Sequence, residues 1–327
     1  MIDFPAAMAR ILLAGVLMAL AGAVTAQQAY PSKPIRFITP YPPGGSTTTV
    51  MRVVGEKLTE RWGQPVIVDN RPGGNTIIGT DALAKSAPDG YTIMLTTSAH
   101  TINPNLFHNL PYDPIKDFAP VATVYSSEFL FAMNPSVPAN NLKEFIALAK
   151  SKPGQINYAS TGAGSPNQLA AELLDMMVGI KMQHIPYKGS GQAIADLLGG
   201  QVQLYLTPPL PAVPFVKSGK LKAIAVSGAS RLPALPQVPT FTEAGLPGFD
   251  INIWYGILAP AGTPKDIVDK MSAEVGKILA LPEVKEKLVA LGVDPLIATP
   301  DQFAALLKSD MAMYAKIIKA ANIKLED

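Results

Sequence analysis

The fold is decided by a Gly-rich segment that occurs twice, first as Ile35-Arg36-Phe37-Ile38-Thr39-Pro40-Tyr41-Pro42-Pro43-Gly44-Gly45-Ser46-Thr47-Thr48-Thr49 and again as Asn157-Tyr158-Ala159-Ser160-Thr161-Gly162-Ala163-Gly164-Ser165-Pro166-Asn167-Gln168. Each copy leaves a short apolar strand, turns at its glycines and leads into a helix. Both copies place Ser, Thr or Asn where a helix needs its N-cap. Glycine lets a ligand approach bare backbone, and the unpaired N–H groups of a helix N-terminus attract anions. Two such turns in one chain predict two halves that hold one anionic ligand.

Strand-like and helix-like segments alternate through most of the chain. We expect strands at Ile35–Thr39, Val66–Asp69, Thr92–Thr96, Asn157–Ser160, Met182–His184, Leu204–Thr207 and Leu221–Val226. We expect helices between them at Thr48–Arg61, Ile77–Lys85, Leu142–Lys150, Asn167–Met177, Gln192–Leu198 and Val213–Lys217. The C-terminal part instead reads as consecutive helices, each with a proline near its first turn, at Pro264–Leu281, Pro282–Leu291 and Pro300–Ala321. The alternation predicts an α/β fold with mostly parallel sheets flanked by helices.

The repeat extends beyond the opening turn, because each half reads as strand, Gly turn, helix, strand, Gly turn, helix, strand. This pattern predicts two similar α/β lobes, although chance convergence of α/β patterns is an alternative. Ligands bind beyond the carboxyl ends of the strands in such sheets, where these Gly turns lie. The chain crosses between the lobes at Phe118–Val124 and returns at Ile251–Leu258. We assign residues 27–124 and 256–327 to lobe 1, residues 125–255 to lobe 2, and the hinge to residues 121–128 and 251–258.

The composition excludes several classes of function. The 327 residues are 48% hydrophobic and 16% charged, with a formal net charge of +2. No run of Lys and Arg with interleaved aromatics exists to follow a phosphate backbone, which argues against nucleic acid as a partner. The absence of cysteine excludes disulfides and thiolate metal sites, and the three histidines lack metal-ligand spacing. We expect neither a metal nor a cofactor.

Residues 1–26 have the pattern of a signal peptide. Arg10 precedes the unbroken apolar run Ile11–Val24, and Val24-Thr25-Ala26 supplies the small residues of a cleavage site before Gln27. A retained membrane anchor is the alternative, but the run is shorter than the ~20 residues of a membrane span. We expect export to a bacterial periplasm with cleavage near Ala26.

A set of short motifs, taken in order, resembles a known family. The motifs are Tyr41-Pro42-Pro43-Gly44-Gly45, Asp69-Asn70-Arg71-Pro72-Gly73-Gly74, Ala87-Pro88-Asp89-Gly90-Tyr91, Tyr187-Lys188-Gly189-Ser190-Gly191, Leu198-Gly199-Gly200-Gln201-Val202 and Pro260-Ala261-Gly262-Thr263-Pro264. Together they resemble the Bug receptors, the TctC-like periplasmic solute-binding proteins of tripartite tricarboxylate transporters. The resemblance implies a monomeric two-lobed clamshell, of the Venus flytrap type, that captures a small organic carboxylate without catalysis. It also implies delivery of that ligand to the permease subunits of a membrane transporter.

Candidate ligand-binding residues follow from the Gly turns and the strand ends. Members of the family hold a carboxylate through neutral donors and ordered waters rather than through an ion pair, and water-mediated bonds are nearly as good as direct ones. Here such donors would be backbone N–H groups, hydroxyls and amides, with one tyrosine ring to shape the pocket. The candidates are Tyr41, Gly44, Gly45, Ser46, Thr48, Ser98, Ala99, Thr161, Gly162, Gly164, Ser165, Asn167, Ser190 and Thr207.

One position departs from the family pattern. The family turn continues as Pro-Gly-Gly-x-x-Asp, and the counterpart of that Asp is Thr48. An acidic side chain would repel a second carboxylate, so Thr48 favours a dicarboxylate or an aromatic carboxylate such as terephthalate over an amino acid. Aligning Gly45 on Gly164 places Thr48 opposite Asn167. The alternative is that Thr48 serves only the first turn of its helix.

Two other functions remain as alternatives. An exported α/β enzyme could act on a carboxylated substrate with His100 as a general base, since His100 follows the Ser98 turn. Against this, the Gly-x-Gly-x-x-Gly pattern is incomplete at Asn167, and the chain has no Gly-x-Ser-x-Gly elbow. A sensory receptor subunit would use the same clamshell, so the sequence does not separate sensing from transport.

Overall fold

The computed structural model describes residues 30–290, 293–320 and 323, so the expected signal peptide lies outside the described residues. The strands are β1 (Ile35–Thr39), β2 (Val66–Asn70), β3 (Thr92–Thr97), β4 (Phe118–Glu128), β5 (Leu130–Met133), β6 (Asn157–Ser160), β7 (Gln183–Pro186), β8 (Leu204–Thr207), β9 (Lys222–Val226), β10 (Asn252–Pro260) and β11 (Asp294–Ala298). The helices are α1 (Ser46–Trp62), α2 (Ile77–Ala84), α3 (Ala99–Ile102), α4 (Leu142–Ser151), α5 (Pro166–Val178), α6 (Ser190–Leu198), α7 (Pro209–Lys217), α8 (Lys265–Leu279), α9 (Pro282–Ala290) and α10 (Pro300–Ala320). A short 3₁₀ helix, Asn103–Asn105, follows α3.

The strands form two sheets, which confirms the predicted α/β architecture. The first sheet has the order β11-β4-β10-β3-β1-β2, and the second has the order β7-β6-β8-β5-β9. In the first sheet β2, β1 and β3 are parallel and β10 is antiparallel to β3. In the second sheet β7, β6 and β8 are parallel and β5 is antiparallel to β8. The two halves therefore share one strand order as well as one sequence pattern.

The expectation of mostly parallel sheets needs a correction, since both sheets are mixed. Parallel pairing is confined to the repeated units, whereas β4, β10 and β11 pair antiparallel in the first sheet and β5 pairs antiparallel with β9 in the second. The segments that cross between the sheets cause this difference. They return along the sheet in the opposite direction instead of through another βαβ connection, which would keep them parallel.

The chain passes from one sheet to the other at two places. Strand β4 belongs to the first sheet through Glu128, and after Phe129 the chain enters β5 of the second sheet. The return lies between β9 and β10, over residues 227–251. Strand β5 was not expected from the sequence because it is a short run directly after β4. Strand β11 was not expected because it is a short run between α9 and α10, in the part of the chain that reads as consecutive helices.

The C-terminal helix contacts elements of both halves of the molecule. Helix α10 packs on β4 of the first sheet and contacts α5, which lies in the half of the molecule that contains the second sheet. Tyr314 and Ile318 of α10 form an apolar cluster with Leu169 of α5 and Ile102 of α3. None of the helices in the described ranges has the length and apolar character needed to cross a bilayer.

Candidate functional site

The first turn (residues 40–45) and the second turn (residues 161–165) lie on opposite sides of a small cavity. The turn that joins β7 to α6, residues 187–189, lies beside the second. The cavity has a volume of about 30 Å³. That is room for about two water molecules at the ~10–15 Å³ that each needs. Its lining comes from both sheets: Tyr41, Pro42, Gly45, Ser46, Thr47, Thr97, Thr161, Pro166, Asn167, Gly189, Ser190, Pro208, Ile253 and Tyr255.

The helix that follows the first turn presents a bare N-terminus to this cavity. Its N-cap is Gly45, which has an extended backbone and makes no side-chain cap hydrogen bond. The expected Ser, Thr or Asn cap is therefore wrong for the first copy. Gly44, with φ of +94°, makes the turn immediately before this cap. The N–H groups of Ser46 and Thr47 have no intrahelical acceptor, as in every helix, and no side chain caps them.

The second copy has the expected polar cap. Ser165 is the N-cap of α5, and its Oγ accepts a hydrogen bond from the Gln168 N–H at 3.4 Å. Pro166 at the first helical position has no N–H. The first open backbone donor of helix α5 is therefore the N–H of Asn167. The two helix N-termini thus differ, because α1 offers more uncapped N–H groups than α5.

The caps also correct the register between the two copies. Aligning the caps pairs Gly45 with Ser165, and it pairs Gly44 (φ +94°) with Gly164 (φ +76°). This register places Thr47, not Thr48, opposite Asn167, and both Thr47 and Asn167 line the cavity. The earlier alignment of Gly45 on Gly164 is one residue out of step because it matched glycines rather than helix starts.

Thr48 supports the first turn from behind. It is 2% exposed and does not line the cavity. Its Oγ1 accepts a hydrogen bond from Asn70 Nδ2 at 3.2 Å, and the same amide donates to the Tyr41 carbonyl at 2.8 Å. Asn70 ends β2, so this pair of bonds ties the first turn to the edge strand of its sheet.

Asn167 has a similar positioning role in the second turn. Its Oδ1 accepts a hydrogen bond from Thr161 Oγ1 at 2.8 Å, and its Nδ2 donates to the Leu206 carbonyl at 2.7 Å. With both ends of the amide occupied, the side chain fixes Thr161 at the cavity wall. What Asn167 leaves for a ligand is its backbone N–H.

Tyrosine hydroxyl groups lie at the cavity wall and behind it, since Tyr41 and Tyr255 line the cavity whereas Tyr125 and Tyr205 do not. The Tyr41 hydroxyl lies 2.8 Å from Thr97 Oγ1, and the Tyr205 hydroxyl lies 3.1 Å from Ser190 Oγ. The rings of Tyr125 and Tyr255 stack with centroids 3.9 Å apart. Burial raises the pKa of Tyr205 to about 12 and raises the pKa values of Tyr41 and Tyr255 further above their usual range. All of these hydroxyls are therefore protonated, and able to donate, at neutral pH.

Ser46 adds a hydroxyl at the start of α1. It is 5% exposed, and its Oγ has no hydrogen-bond partner of standard geometry among the described residues. It is nevertheless close enough to the Tyr255 hydroxyl to offset, in small part, the effect of burial on the pKa of that group. A buried hydroxyl with spare bonding capacity at a cavity wall is suited to a polar ligand atom.

The cavity lining carries no ionisable side chain other than tyrosine. None of the lining residues is Asp, Glu, Lys, Arg or His. An anion here would meet N–H groups, hydroxyls and the positive ends of two helix dipoles, with no fixed charge of either sign.

A larger cavity adjoins the inner one. It has a volume of about 1160 Å³ and shares Tyr41 and Thr161 with the inner cavity. Its wall includes Gly162, Tyr187 and Lys188, and the Tyr187 hydroxyl donates to Asp196 Oδ2 at 2.9 Å. A ligand longer than the inner cavity can extend past Tyr41 and Thr161 into this outer cavity.

The structure divides the expected site residues into three groups. Six line the inner cavity and one the outer cavity only: Tyr41, Gly45, Ser46, Thr161, Asn167 and Ser190, then Gly162. The others line neither cavity: Gly44, Thr48, Ser98, Ala99, Gly164, Ser165 and Thr207. Several of these have their polar groups in local bonds, such as the Gly164 N–H to Gln168 Oε1 at 2.6 Å and the Ala99 N–H to Thr97 Oγ1 at 3.2 Å.

Sequence reasoning also missed part of the wall: Pro42, Thr47, Thr97, Pro166, Gly189, Pro208, Ile253 and Tyr255. Thr97 could have been found, because it ends β3 at the carboxyl edge of the sheet. Tyr255 lies on β10, in the segment that the sequence assigns to the return between the lobes rather than to the site. Residues alternate across a strand, so Ile253 and Tyr255 face the cavity while Trp254 packs on Phe303 and donates its Nε1–H to Asp310 at 2.7 Å.

His100 lies outside both cavities. It is fully buried, its Nε2–H donates to the Pro114 carbonyl at 2.8 Å, and its ring packs edge-on against Phe118 at 4.9 Å. Burial lowers its pKa to about 4. His100 is therefore a core residue, and none of its atoms faces a cavity where it could act as a base on a ligand. No cluster of His, Cys, Asp or Glu in the described ranges has the arrangement of a metal site.

Comparison with known proteins identifies the family. A family model described as "Tripartite tricarboxylate transporter family receptor" matches residues 50–323. BugT of Bordetella pertussis is 36% identical over 316 residues, which is 95% of this chain and 97% of BugT. The solved structure of the periplasmic binding protein BugD is 34% identical, with a TM-score of 0.87 over 91% of this chain and 100% of BugD.

Two further solved structures hold ligands. Rpa4515 of R. palustris, solved with adipate, is 30% identical with a TM-score of 0.88 over 90% of this chain and 99% of that chain. MatC from Rhodopseudomonas palustris, solved with bound malate, is 31% identical with a TM-score of 0.84 over 88% of this chain and 100% of that chain. These similarities confirm the resemblance and the two-lobed fold. The chain belongs to the receptor family of the tripartite tricarboxylate transporters, the Bug and TctC-like solute-binding proteins.

Proposed function

We propose that this protein is a periplasmic receptor that captures an aliphatic dicarboxylate between its two lobes and delivers it to a tripartite tricarboxylate-type transporter. The observation that carries the proposal is the inner cavity, where two helix N-termini and several protonated hydroxyls converge without an ionisable acid or base. Adipate and malate, present in the two ligand-bound relatives, are the ligands that guide the choice.

The first carboxylate would sit at the start of α1. The N–H groups of Ser46 and Thr47 and the hydroxyl of Ser46 provide donors on one side, and the Asn167 N–H and Thr161 provide them on the other. These donors replace the hydration shell of the anion, and each is held in place by the fold. No acidic group in the wall opposes the negative charge.

The second carboxylate would point toward the outer cavity. The inner cavity, at about 30 Å³, is too small for a whole dicarboxylate, whereas the outer one is about 1160 Å³. Lys188 on the outer wall makes no ion pair with any described residue and supplies a positive charge there. We propose Lys188 as a partner for the distal carboxylate.

The mechanism we propose is a population shift between open and closed arrangements. A ligand that bonds to both Gly turns stabilises the closed arrangement by its contacts with the second side. The sequence assigns residues 27–124 and 256–327 to lobe 1 and residues 125–255 to lobe 2, with the hinge at residues 121–128 and 251–258. Residues 125–128 and 252–255 lie in β4 and β10, which pair in the first sheet, so we propose lobe boundaries after Glu128 and before Asn252.

Calorimetric titration of the purified protein tests the proposal directly. The panel contains malate, adipate, terephthalate, a monocarboxylate such as hexanoate, and aspartate. We expect the aliphatic dicarboxylates to bind most tightly and Lys188→Met to weaken them more than hexanoate. Lys181→Met, a change of another exposed lysine in the same half, is the matched control. Tighter binding of aspartate than of malate, or no binding across the panel, would contradict the proposal.

A further inference from the structure

Gly189 and Pro42 touch across the gap between the two halves of the molecule. Pro42 belongs to the first turn, which follows β1 of the first sheet, and Gly189 is the N-cap of α6 beside β7 of the second sheet. A Cβ added to Gly189 would lie 2.5 Å from Pro42 Cγ, 2.9 Å from Cδ and 3.9 Å from Cβ. The three nearest atoms thus all belong to one residue on the opposite side of the cavity.

The backbone of Gly189 does not itself require glycine. Its φ of 179° and ψ of 167° are extended values that any residue adopts. An alanine at this position therefore fits its own turn, and the conflict arises only with Pro42. In this respect Gly189 differs from Gly44 and Gly164, whose positive φ values favour glycine within their own turns.

We propose that Gly189 is a specificity-determining residue, because the missing Cβ at this position sets how closely the two Gly turns approach and hence how short a ligand the cavity can grip. The proposal rests on the proposed ligand site between the lobes. Ordinary carbon contacts lie at about 3.5–4.0 Å, so a Cβ at residue 189 would push Pro42 away by about 1 Å. Both residues line the inner cavity, so this separation widens it.

The first experiment measures the separation without relying on any ligand. The chain has no cysteine, so Arg52→Cys in α1 and Lys150→Cys in α4, both exposed, give one unique pair of spin-label sites. Pulsed electron–electron double resonance measures the distance between the two spin labels in this double-cysteine protein, without ligand and with millimolar malate. We expect Gly189→Ala to shift the distances toward the open arrangement.

Two matched variants separate closure from damage to the turn. Gly191→Ala places a Cβ in the same region, but its nearest neighbour, the Pro43 carbonyl oxygen, is 3.9 Å away, so no shift is expected. Pro42→Ala removes Cγ and Cδ and leaves only the Cβ at 3.9 Å. The double variant Pro42→Ala with Gly189→Ala should therefore return to the distances of Pro42→Ala alone. A local folding defect at residue 189 would not be rescued by a change on the other side of the cavity.

Calorimetry with malate and adipate then tests the effect on ligand length. Losing one or two bonds to a charged ligand corresponds to about 10- to 100-fold weaker binding, and we expect this loss for malate in Gly189→Ala. Adipate, which is longer, should lose less. Unchanged spin-label distances in Gly189→Ala, or a shift that Pro42→Ala does not reverse, would overturn the proposal. Failure of both acids to bind any variant would count against the proposed ligand class, while the distance measurements would still decide the role of Gly189.

Discussion

A single acidic substitution at the start of α1 tests whether the cavity binds an anionic ligand because its wall carries no negative charge. Thr47 is 4% exposed and lines the inner cavity at the second position of the helix. Thr47→Asp places a carboxylate beside the donors that would hold the ligand. We expect this variant to bind dicarboxylates far more weakly than the wild-type protein, because two like charges would share one neutral site.

The size of the effect follows from Coulomb's law. Two unit charges at roughly 5–6 Å with an effective dielectric constant of about 20 repel by about 3 kcal/mol, which is about a 100-fold loss of affinity. An acidic residue in the first turn of a helix stabilises that helix by about 0.3–1 kcal/mol. The thermal midpoint of the ligand-free variant should therefore not fall, which distinguishes charge repulsion from unfolding.

The assay is calorimetric titration with malate and adipate, supported by thermal unfolding of each variant. Thr47→Asn, a neutral side chain of the same size as Asp, is the control for volume. Thr48→Asp is the positional control, because Thr48 lies behind the turn and bonds to Asn70. We expect Thr47→Asp to lose much more affinity than either control. Equal losses in Thr47→Asn, or a larger loss in Thr48→Asp, would refute this account of the site.

Two further predictions concern stability. Burial lowers the pKa of His100 to about 4. Between pH 6.5 and pH 4 this histidine is therefore protonated in the unfolded chain but neutral in the folded protein. Its contribution to the free energy of unfolding falls by about 3 kcal/mol over this range as the pH drops. His100→Gln should reduce the slope of this part of a urea-denaturation pH profile, and part of the remaining slope comes from His184, whose pKa burial also lowers to about 4. Asp310 Oδ2 accepts hydrogen bonds from Thr101 at 2.6 Å and Trp254 at 2.7 Å, so Asp310→Ala should cost about 2–5 kcal/mol and Asp310→Asn clearly less. Tryptophan fluorescence during urea denaturation measures both, and equal costs would contradict the role given to the paired acceptor.

The elements of the fold were largely predictable, because local signals specify them. The strand candidates Ile35–Thr39, Asn157–Ser160 and Leu204–Thr207 have the observed bounds, since each is a short apolar run ending at a turn. The mixed pairing of the sheets was not predictable from such runs. Whether a strand such as β5 or β11 is antiparallel depends on where the chain returns, which is a long-range property.

The candidate site was only partly predictable for a related reason. Pattern reasoning found residues on the Gly turns, such as Ser46 and Thr161, because a turn between a strand and a helix has a known orientation. It missed Tyr255, which comes from a crossing strand far away in sequence. It also predicted Thr48 as a residue of the site, whereas the preceding residue, Thr47, lines the cavity. The helix start was misjudged because the N-cap of α1 is the extended backbone of Gly45 rather than a polar side chain.

The neutral wall of the inner cavity has a consequence for the conditions in which the protein works. An anion held by ion pairs loses affinity as salt screens the attraction, and the Debye length shrinks from about 10 Å at 0.1 M to about 3 Å at 1 M. The inner cavity has no lysine, arginine or histidine whose attraction could be screened. Buried hydrogen-bond donors act over a few ångströms with no intervening ions, so the grip on the inner carboxylate should be nearly independent of the salinity outside the cell. Added salt should therefore weaken only the contribution of Lys188 to the distal carboxylate.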